Sequence, residues 1–76
     1  MIIKEVYKYK LDSSVSYSMI DGVEKIDVGI KDGVNFITAH KKNKKNETES
    51  FTIQVEDSII YLLNDQGKTI DVIKPL

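Results

Sequence analysis

Apolar and polar residues alternate with a period of two along most of the chain, and short segments of Asp, Asn and Gly separate the alternating runs. This pattern is typical of half-buried β-strands, and the tight turns between the runs favour antiparallel neighbours. The sequence therefore predicts a single all-β domain over residues 1–76. It is expected to be an antiparallel meander of about six to seven short strands that forms a small barrel or a two-layer β-sandwich.

The clearest turn signal is Asp21 followed by Gly22, because both central residues of a type I′ hairpin turn need a positive φ. A two-residue loop there places apolar residues opposite apolar residues. The predicted pairs are Ile20 with Val23, Tyr17 with Ile26, and Val15 with Val28. A slip of one residue would reverse the faces of one strand relative to its partner, so this register is preferred.

Two further hairpins are predicted around Gly33 and Gly67, each as a left-handed residue in a bulged turn. For the first, a three-residue loop over residues 31–33 is preferred to a two-residue loop. The preferred loop pairs Val28 with Phe36 and Ile30 with Val34, whereas the alternative pairs Val28 with Ile37 and Ile26 with Ala39. The second hairpin pairs Leu62 with Ile70 and Ile60 with Val72. Gly29 is expected to mark a bend or a bulge.

The run over residues 59–63 is apolar on both faces of its strand. The residues assigned to the core are Ile60, Leu62, Ile70 and Val72, with Phe51, Ile53 and Val55. The other face predicts an exposed apolar patch that marks a protein interface, formed by Ile59, Tyr61, Leu63 and Ile73. Ile2 and Val6 also lack a predicted place in the core. Plain core packing is the alternative for all of these side chains.

Composition limits the chemistry that the domain can perform. The 76 residues contain no cysteine and a single histidine, so neither disulfides nor a zinc site is expected, and no cofactor is predicted. The first residues lack the apolar stretch of a signal peptide, and no run approaches the ~20 apolar residues of a membrane span. These features predict a cytoplasmic protein that does not bind membranes.

Candidate catalytic residues are few. His40 is far in sequence from every serine except Ser50, which hairpin pairing could bring near, and it is expected to be an exposed histidine at a strand end. Aspartates such as Asp12, Asp32 and Asp57 lie at turns, where their side chains bind local backbone N–H groups. No nucleotide-binding or metalloprotease motif occurs. The chain is therefore predicted not to be an enzyme.

The basic charge of the chain is concentrated in one predicted loop. Residues 40–46 carry four lysines and no acid, although the whole chain has a net charge of −1. The candidate contacts for phosphates or another acidic ligand are His40, Lys41, Lys42, Lys44 and Lys45. Phe36 and Phe51 flank the loop but are assigned to the core, and the chain has no arginine. The alternative is a mobile loop whose lysines only maintain solubility.

Two functions follow from these surfaces. The first is a non-enzymatic protein-binding module that docks its apolar patch onto a partner protein or onto a second copy, forming a homodimer. The small size, the absence of cysteine and the exclusive use of lysine would suit a phage or mobile-element inhibitor of a host protein. The second is binding of nucleic acid or an acidic ligand through the lysine-rich loop, which the acidity of the remaining chain disfavours.

Overall fold

The computed structural model describes residues 1–7 and 17–76, and every regular element in them is a β-strand. The strands are β1 (Ile2–Tyr7), β2 (Tyr17–Ile20), β3 (Val23–Lys31), β4 (Val34–Lys42), β5 (Thr48–Val55), β6 (Ser58–Leu63) and β7 (Thr69–Ile73). The turn predicted at Asp12 and Ser13 and the pairing of Val15 lie outside the described residues.

The strands form two antiparallel sheets that pack face to face. One sheet has four strands in the order β2-β1-β6-β7, and the other has three in the order β3-β4-β5. The predicted all-β class is confirmed. The strands described here do not close into a barrel, and their arrangement is that of a two-layer sandwich. β1 pairs with β6, which lies far along the chain, and this pairing makes β1 a central strand.

The core lies between the inner faces of the two sheets. Its buried side chains are Ile3, Val23, Ile37, Ala39, Val55, Ile60, Leu62 and Ile73. Ser58 is also buried, and its hydroxyl donates a hydrogen bond of 2.7 Å to Oε2 of Glu5. Tyr7 donates to the other oxygen of this carboxylate at 3.2 Å. The polar groups at this end of the core are thus paired, which avoids the penalty of burying them alone.

The hairpin predicted at Asp21 and Gly22 is wrong. β2 pairs with β1, with Ile20 opposite Ile3, and β3 belongs to the other sheet. Face matching could not distinguish the two pairings, because β1 also places apolar residues, Ile3 and Val6, opposite Ile20 and Tyr17. Asp21 and Gly22 do separate two strands, as predicted, but the segment connects the two sheets.

The crossing between the sheets depends on Gly22 and on the start of β1. Gly22 has a φ of 72°, a left-handed conformation that glycine adopts without strain. Immediately after it, Val23 donates a backbone hydrogen bond of 3.0 Å to the carbonyl oxygen of Met1. The Met1 nitrogen donates in return to the Val23 carbonyl oxygen at 2.9 Å. This reciprocal pair joins the start of β3 to the start of β1.

The hairpin between β3 and β4 has the shorter of the two loops considered above. Lys31 pairs with Val34, and Asp32 and Gly33 occupy the turn with φ values of 53° and 77°. Two positive φ values are the signature of a type I′ turn, so the preferred three-residue loop is wrong. The observed register places Val28 opposite Ile37. An aspartate that tolerates positive φ is what permits the shorter loop.

One consequence of this register concerns Gly29, which lies opposite Phe36 in a regular part of the ladder. A Cβ on Gly29 would lie 2.6 Å from Cζ of Phe36 and 3.1 Å from both Cε atoms. The predicted bend or bulge at Gly29 is therefore wrong. The glycine instead makes room for the aromatic ring, and the irregularity in β3 occurs between Val23 and Lys25.

The hairpin between β6 and β7 differs from its prediction by one residue. Ile60 pairs with Ile73 and Tyr61 pairs with Val72, with a register shift between Leu62 and Leu63. Gly67 has the expected left-handed φ of 82°. The shift turns Ile73 into the core and leaves Val72 on the outer side of the sheet.

Candidate binding surfaces

The outer side of the four-stranded sheet carries an almost continuous apolar surface, here called the apolar face. Strand alternation and pairing place on it Ile2, Lys4, Val6, Tyr17, Met19, Ile59, Tyr61, Leu63 and Val72. Tyr17, Met19 and Val72 are 54%, 50% and 37% exposed. Solvent-facing sides of antiparallel sheets usually carry polar residues, so this face is unusual and has the character of an interaction site.

Lys4 is the one charged residue among the described members of the apolar face. It lies between Met19 and Tyr61 on the neighbouring strands and is half-buried. Its Nζ atom is 4.8 Å from the ring centroid of Tyr17, within the range of a cation–π contact. Among the described residues it forms no salt bridge. The apolar face therefore holds a positive charge that a docking partner must accommodate.

Of the four residues predicted to form the apolar patch, not all lie on the apolar face, and not all are exposed. Ile59 and Tyr61 are half-buried members of the apolar face. Leu63 shares their side of the strand but is only 8% exposed. Ile73 is also 8% exposed and belongs to the core, so its assignment to an exposed patch is wrong. The register shift beside Leu62 is the cause.

The sequence interpretation missed residues on the two outer strands of this sheet. The incorrect hairpin paired Tyr17 with Ile26 and gave Met19 no place in the patch, and the incorrect register placed Val72 in the core. Ile2 and Val6 gave the available signal, because they are apolar residues of one strand that had no predicted partner in the core. The structure places both on the apolar face.

The lysine-rich segment is partly strand and partly a hydrogen-bonded loop. His40, Lys41 and Lys42 belong to β4, and Lys41 donates through Nζ to the Asp21 carbonyl oxygen at 2.8 Å. The loop proper is organised by Asn43, whose Oδ1 accepts backbone hydrogen bonds from residues 45 and 47 at 2.9 and 3.0 Å. Lys44 and Lys45 remain exposed at its tip.

The loop between β6 and β7 is built in the same way around Asn64. Its Oδ1 accepts hydrogen bonds of 3.0 Å from the backbone of Gln66 and of Lys68. Gly67 occupies the left-handed position that Asn46 fills in the lysine loop, where φ is 62°. An Asn followed three residues later by Asn or Gly is therefore the sequence signal for this turn.

His40 bridges three strands on the outer side of the three-stranded sheet. Its Nδ1 is 2.7 Å from the hydroxyl oxygen of Ser50 on β5, and its Nε2 is 2.9 Å from Oδ2 of Asp27 on β3. A neutral ring with its proton on Nε2 satisfies both contacts. His40 is thus half-buried and bonded, not the isolated exposed histidine that was expected.

Serine, histidine and aspartate are also the residue types of nucleophilic triads. In that template the serine bonds to Nε2 and the carboxylate to Nδ1, whereas Ser50 bonds to Nδ1 of His40 and Asp27 bonds to Nε2. The row lies across an open sheet surface, where Asp27 is solvent-exposed. Its evident effect is to link three strands by side-chain hydrogen bonds.

A shallow cleft of about 500 Å³ lies on the same outer side, nearer the β3–β4 turn. It is lined by Lys31, Asp32, Val34, Phe36, Thr52 and Gln54. Phe36 was assigned to the core, and this is wrong, because the two-residue turn places it on the opposite side of β4 from the buried Ile37. The structure therefore provides an aromatic ring on the surface that also carries the lysine loop.

Residues 1–7 and 17–76 contain no group of three or more metal-ligating side chains, and no helix among them has the length and apolarity needed to cross a bilayer. No family model matches the chain, and comparison with curated proteins and with solved structures found no similar protein.

Proposed function

We propose that the protein is a non-enzymatic binding module that docks the apolar face of its four-stranded sheet onto another protein. The observation that carries the proposal is the row Met19, Lys4, Tyr61 and Val72, which crosses all four strands with large side chains and one cation. Burying such a row against a partner removes apolar area from water, and each Å² of apolar area that is buried favours binding by ~25 cal/mol. Tyrosine suits an interface because its ring is apolar and its hydroxyl can bond at the rim.

The partner favoured by this face has an apolar surface that carries a carboxylate. A buried ammonium group is costly unless it is paired, and Lys4 lies in the middle of the row. The described members of the apolar face include no acidic residue, so a second copy of the chain would bring two lysines and no counter-charge. A different protein is therefore a better occupant than a homodimer.

The test compares lysine substitutions at exposed apolar positions of the two sheets. Met19→Lys and Val72→Lys place a charge on the apolar face, and Ile30→Lys is the matched control, because Ile30 is 63% exposed on β3 of the other sheet. Partners are captured from the source cell, identified, purified and titrated by calorimetry. Each substitution on the apolar face is expected to weaken binding at least tenfold, about 1.4 kcal/mol, while the control binds normally.

Charge reversal tests the role assigned to Lys4. Lys4→Glu is expected to weaken binding by a similar factor, and replacing the partner's facing carboxylate with lysine is expected to restore it. Equal losses in the control variant would contradict the proposal. So would a concentration-dependent dimer in sedimentation velocity that Met19→Lys dissociates, since the occupant would then be a second copy. A monomer that captures no protein would also contradict it.

A further inference from the structure

The outer side of the three-stranded sheet combines an aromatic ring with positive charge, and neither depends on the apolar face. The ring is Phe36, which lies across Gly29 on the middle strand of the sheet, near the β3–β4 turn. The distances from the Gly29 Cβ position to Cζ and to both Cε atoms are similar, as expected for a ring that lies over the glycine instead of pointing an edge at it. Phe36 also lines the cleft.

Hydrogen-bonding groups surround this ring on the adjacent strand. Gln54 lies directly opposite Phe36 on β5, and Thr52 lies two residues along the same strand. The hydroxyl of Thr52 is 3.3 Å from that of Thr38, and Thr52 and Gln54 both line the cleft. A planar heterocycle stacked on Phe36 would thus have amide and hydroxyl groups at its edge.

Lysines lie at both ends of the same surface. Lys31 lines the cleft beside the β3–β4 turn, and Lys42 ends β4 at the opposite end of the sheet. Phe36 and Lys42 are six residues apart on one strand, which corresponds to roughly 20 Å. Beyond Lys42, the hydrogen bonds to Asn43 hold the loop that presents Lys44 and Lys45. A loop that is already ordered loses less conformational entropy when it binds.

We infer that this surface, from the cleft at Phe36 to Lys44 and Lys45, binds single-stranded nucleic acid. Its recognition elements are one stacked base on Phe36 and phosphates along the lysines, over on the order of four nucleotides, the low end of known site sizes. A duplex fits less well, because its bases are stacked on each other and offer no free face to the ring. With one aromatic residue and no arginine, binding is expected to be sequence-tolerant.

The carboxylates on this surface limit the expected affinity without occupying the ring. Asp27 is bonded to His40 and lies 3.9 Å from Nζ of Lys25, so its charge is partly balanced. Asp32 lies at the edge of the cleft. We expect a dissociation constant on the order of 10⁻⁵ M at about 50 mM salt, in the range of electrostatically driven, non-specific binding.

The experiment measures fluorescence polarisation of labelled 12-nucleotide strands at about 50 and 200 mM salt. The arms are single-stranded DNA, single-stranded RNA, a DNA duplex and an inorganic polyphosphate of similar charge. Both single strands are expected to bind more tightly than the duplex and the polyphosphate. Binding should weaken as salt rises, with a slope of about −0.7 for each phosphate contact. The DNA and RNA arms show which backbone is preferred.

Two substitutions separate stacking from charge. Phe36→Leu keeps an apolar group over Gly29 but removes the ring, and it is expected to weaken single-strand binding roughly five- to a hundredfold. Phe36→Tyr keeps the ring and should bind like the wild type. Replacing Lys44 and Lys45 with Gln should reduce the salt slope by about 1.4. The matched control replaces Lys68 and Lys74, near β7 of the other sheet, with Gln.

Chemical shift changes in the wild-type protein provide a readout that does not depend on any variant folding. On titration with a single strand they should cluster at Phe36, Thr52 and Gln54. The inference is overturned if no binding is detected at low salt, or if the loop and control variants lose affinity equally. Tight binding of polyphosphate with no shift at Phe36 would also overturn it, since charge alone would then explain the interaction.

Discussion

The contact between Gly29 and Phe36 predicts a change of sign in the effect of one substitution. Gly29 lies in regular β3 backbone with no positive φ, so alanine can adopt its conformation. In the wild-type background, however, the new methyl group would lie 2.6 Å from Cζ of Phe36. Carbon atoms pack at about 3.5–4.0 Å, so the ring must move by about 1 Å.

The magnitude follows from two opposing effects. Overpacking of this kind costs about 1–3 kcal/mol, whereas replacing a glycine in a strand with alanine contributes about 0.5–1 kcal/mol of stability. Gly29→Ala should therefore lower the free energy of unfolding by up to about 2.5 kcal/mol. In the Phe36→Ala background the clash is absent. Gly29→Ala should then raise the free energy of unfolding by about 0.5–1 kcal/mol. The coupling energy is then about 1–3 kcal/mol.

Urea unfolding of the wild type, both single variants and the double variant measures this cycle. Midpoints and m-values are both required, because a change in m would indicate an altered unfolded state. In thermal unfolding, each 1 kcal/mol corresponds to a shift of about 4–8 °C for a domain of this size. If Gly29→Ala has the same effect in both backgrounds within about 0.5 kcal/mol, the ring does not lie on the glycine and the reasoning is refuted.

Four other substitutions test contacts and turns on which the fold depends. Ser58→Ala removes the hydroxyl that bonds the Glu5 carboxylate at 2.7 Å and should lower the free energy of unfolding by about 1.5–3 kcal/mol in urea titrations; no change would mean that water replaces the bond without loss. Asn43→Ala and Asn64→Ala each remove an acceptor of two backbone N–H groups, and calorimetry should show similar losses of about 1–2 kcal/mol; a large difference would contradict their equivalence. Asn46→Gly relieves a positive φ of 62° and should leave the melting temperature equal or higher, whereas a lower one would contradict the turn assignment.

Local patterns predicted strand positions well, because alternation and turn residues act over short distances. The strand over residues 48–55, for example, has Phe51, Ile53 and Val55 on its inner side, as the alternation indicated. Left-handed glycines at positions 33 and 67 were also expected and are present. These features need no knowledge of which strand lies next to which.

Pairing between strands was less predictable, because different partners can satisfy the same apolar pattern. Ile20 finds an apolar neighbour in Ile3 as readily as it would in Val23, and only the whole fold decides between them. The register of β7 depends on a one-residue irregularity next to Leu62 that leaves no mark in the sequence. Each such error reverses the faces of a strand, which is why Val72 was misplaced.

The errors in strand pairing also affected the predicted binding surfaces. The apolar excess of β1 and β6 was visible in the sequence, but its extent on the outer strands depended on pairings that were wrong. Phe36 reached the surface through a turn one residue shorter than the preferred one, and its position over Gly29 became apparent only with the correct register. A strand glycine opposite an aromatic residue is the sequence signal for a ring that lies over the glycine.

The central position of β1 in its sheet has a consequence for the order of folding. β3, β4 and β5 are consecutive in the chain and can pair as soon as each is formed, whereas β1 gains its second neighbour only when β6 arrives. Contacts of such sequence separation slow folding, because a long loop must close before they contribute. During that interval one backbone edge of β1 is unpaired, and this edge, beside apolar side chains, is where aggregation or chaperone capture would begin.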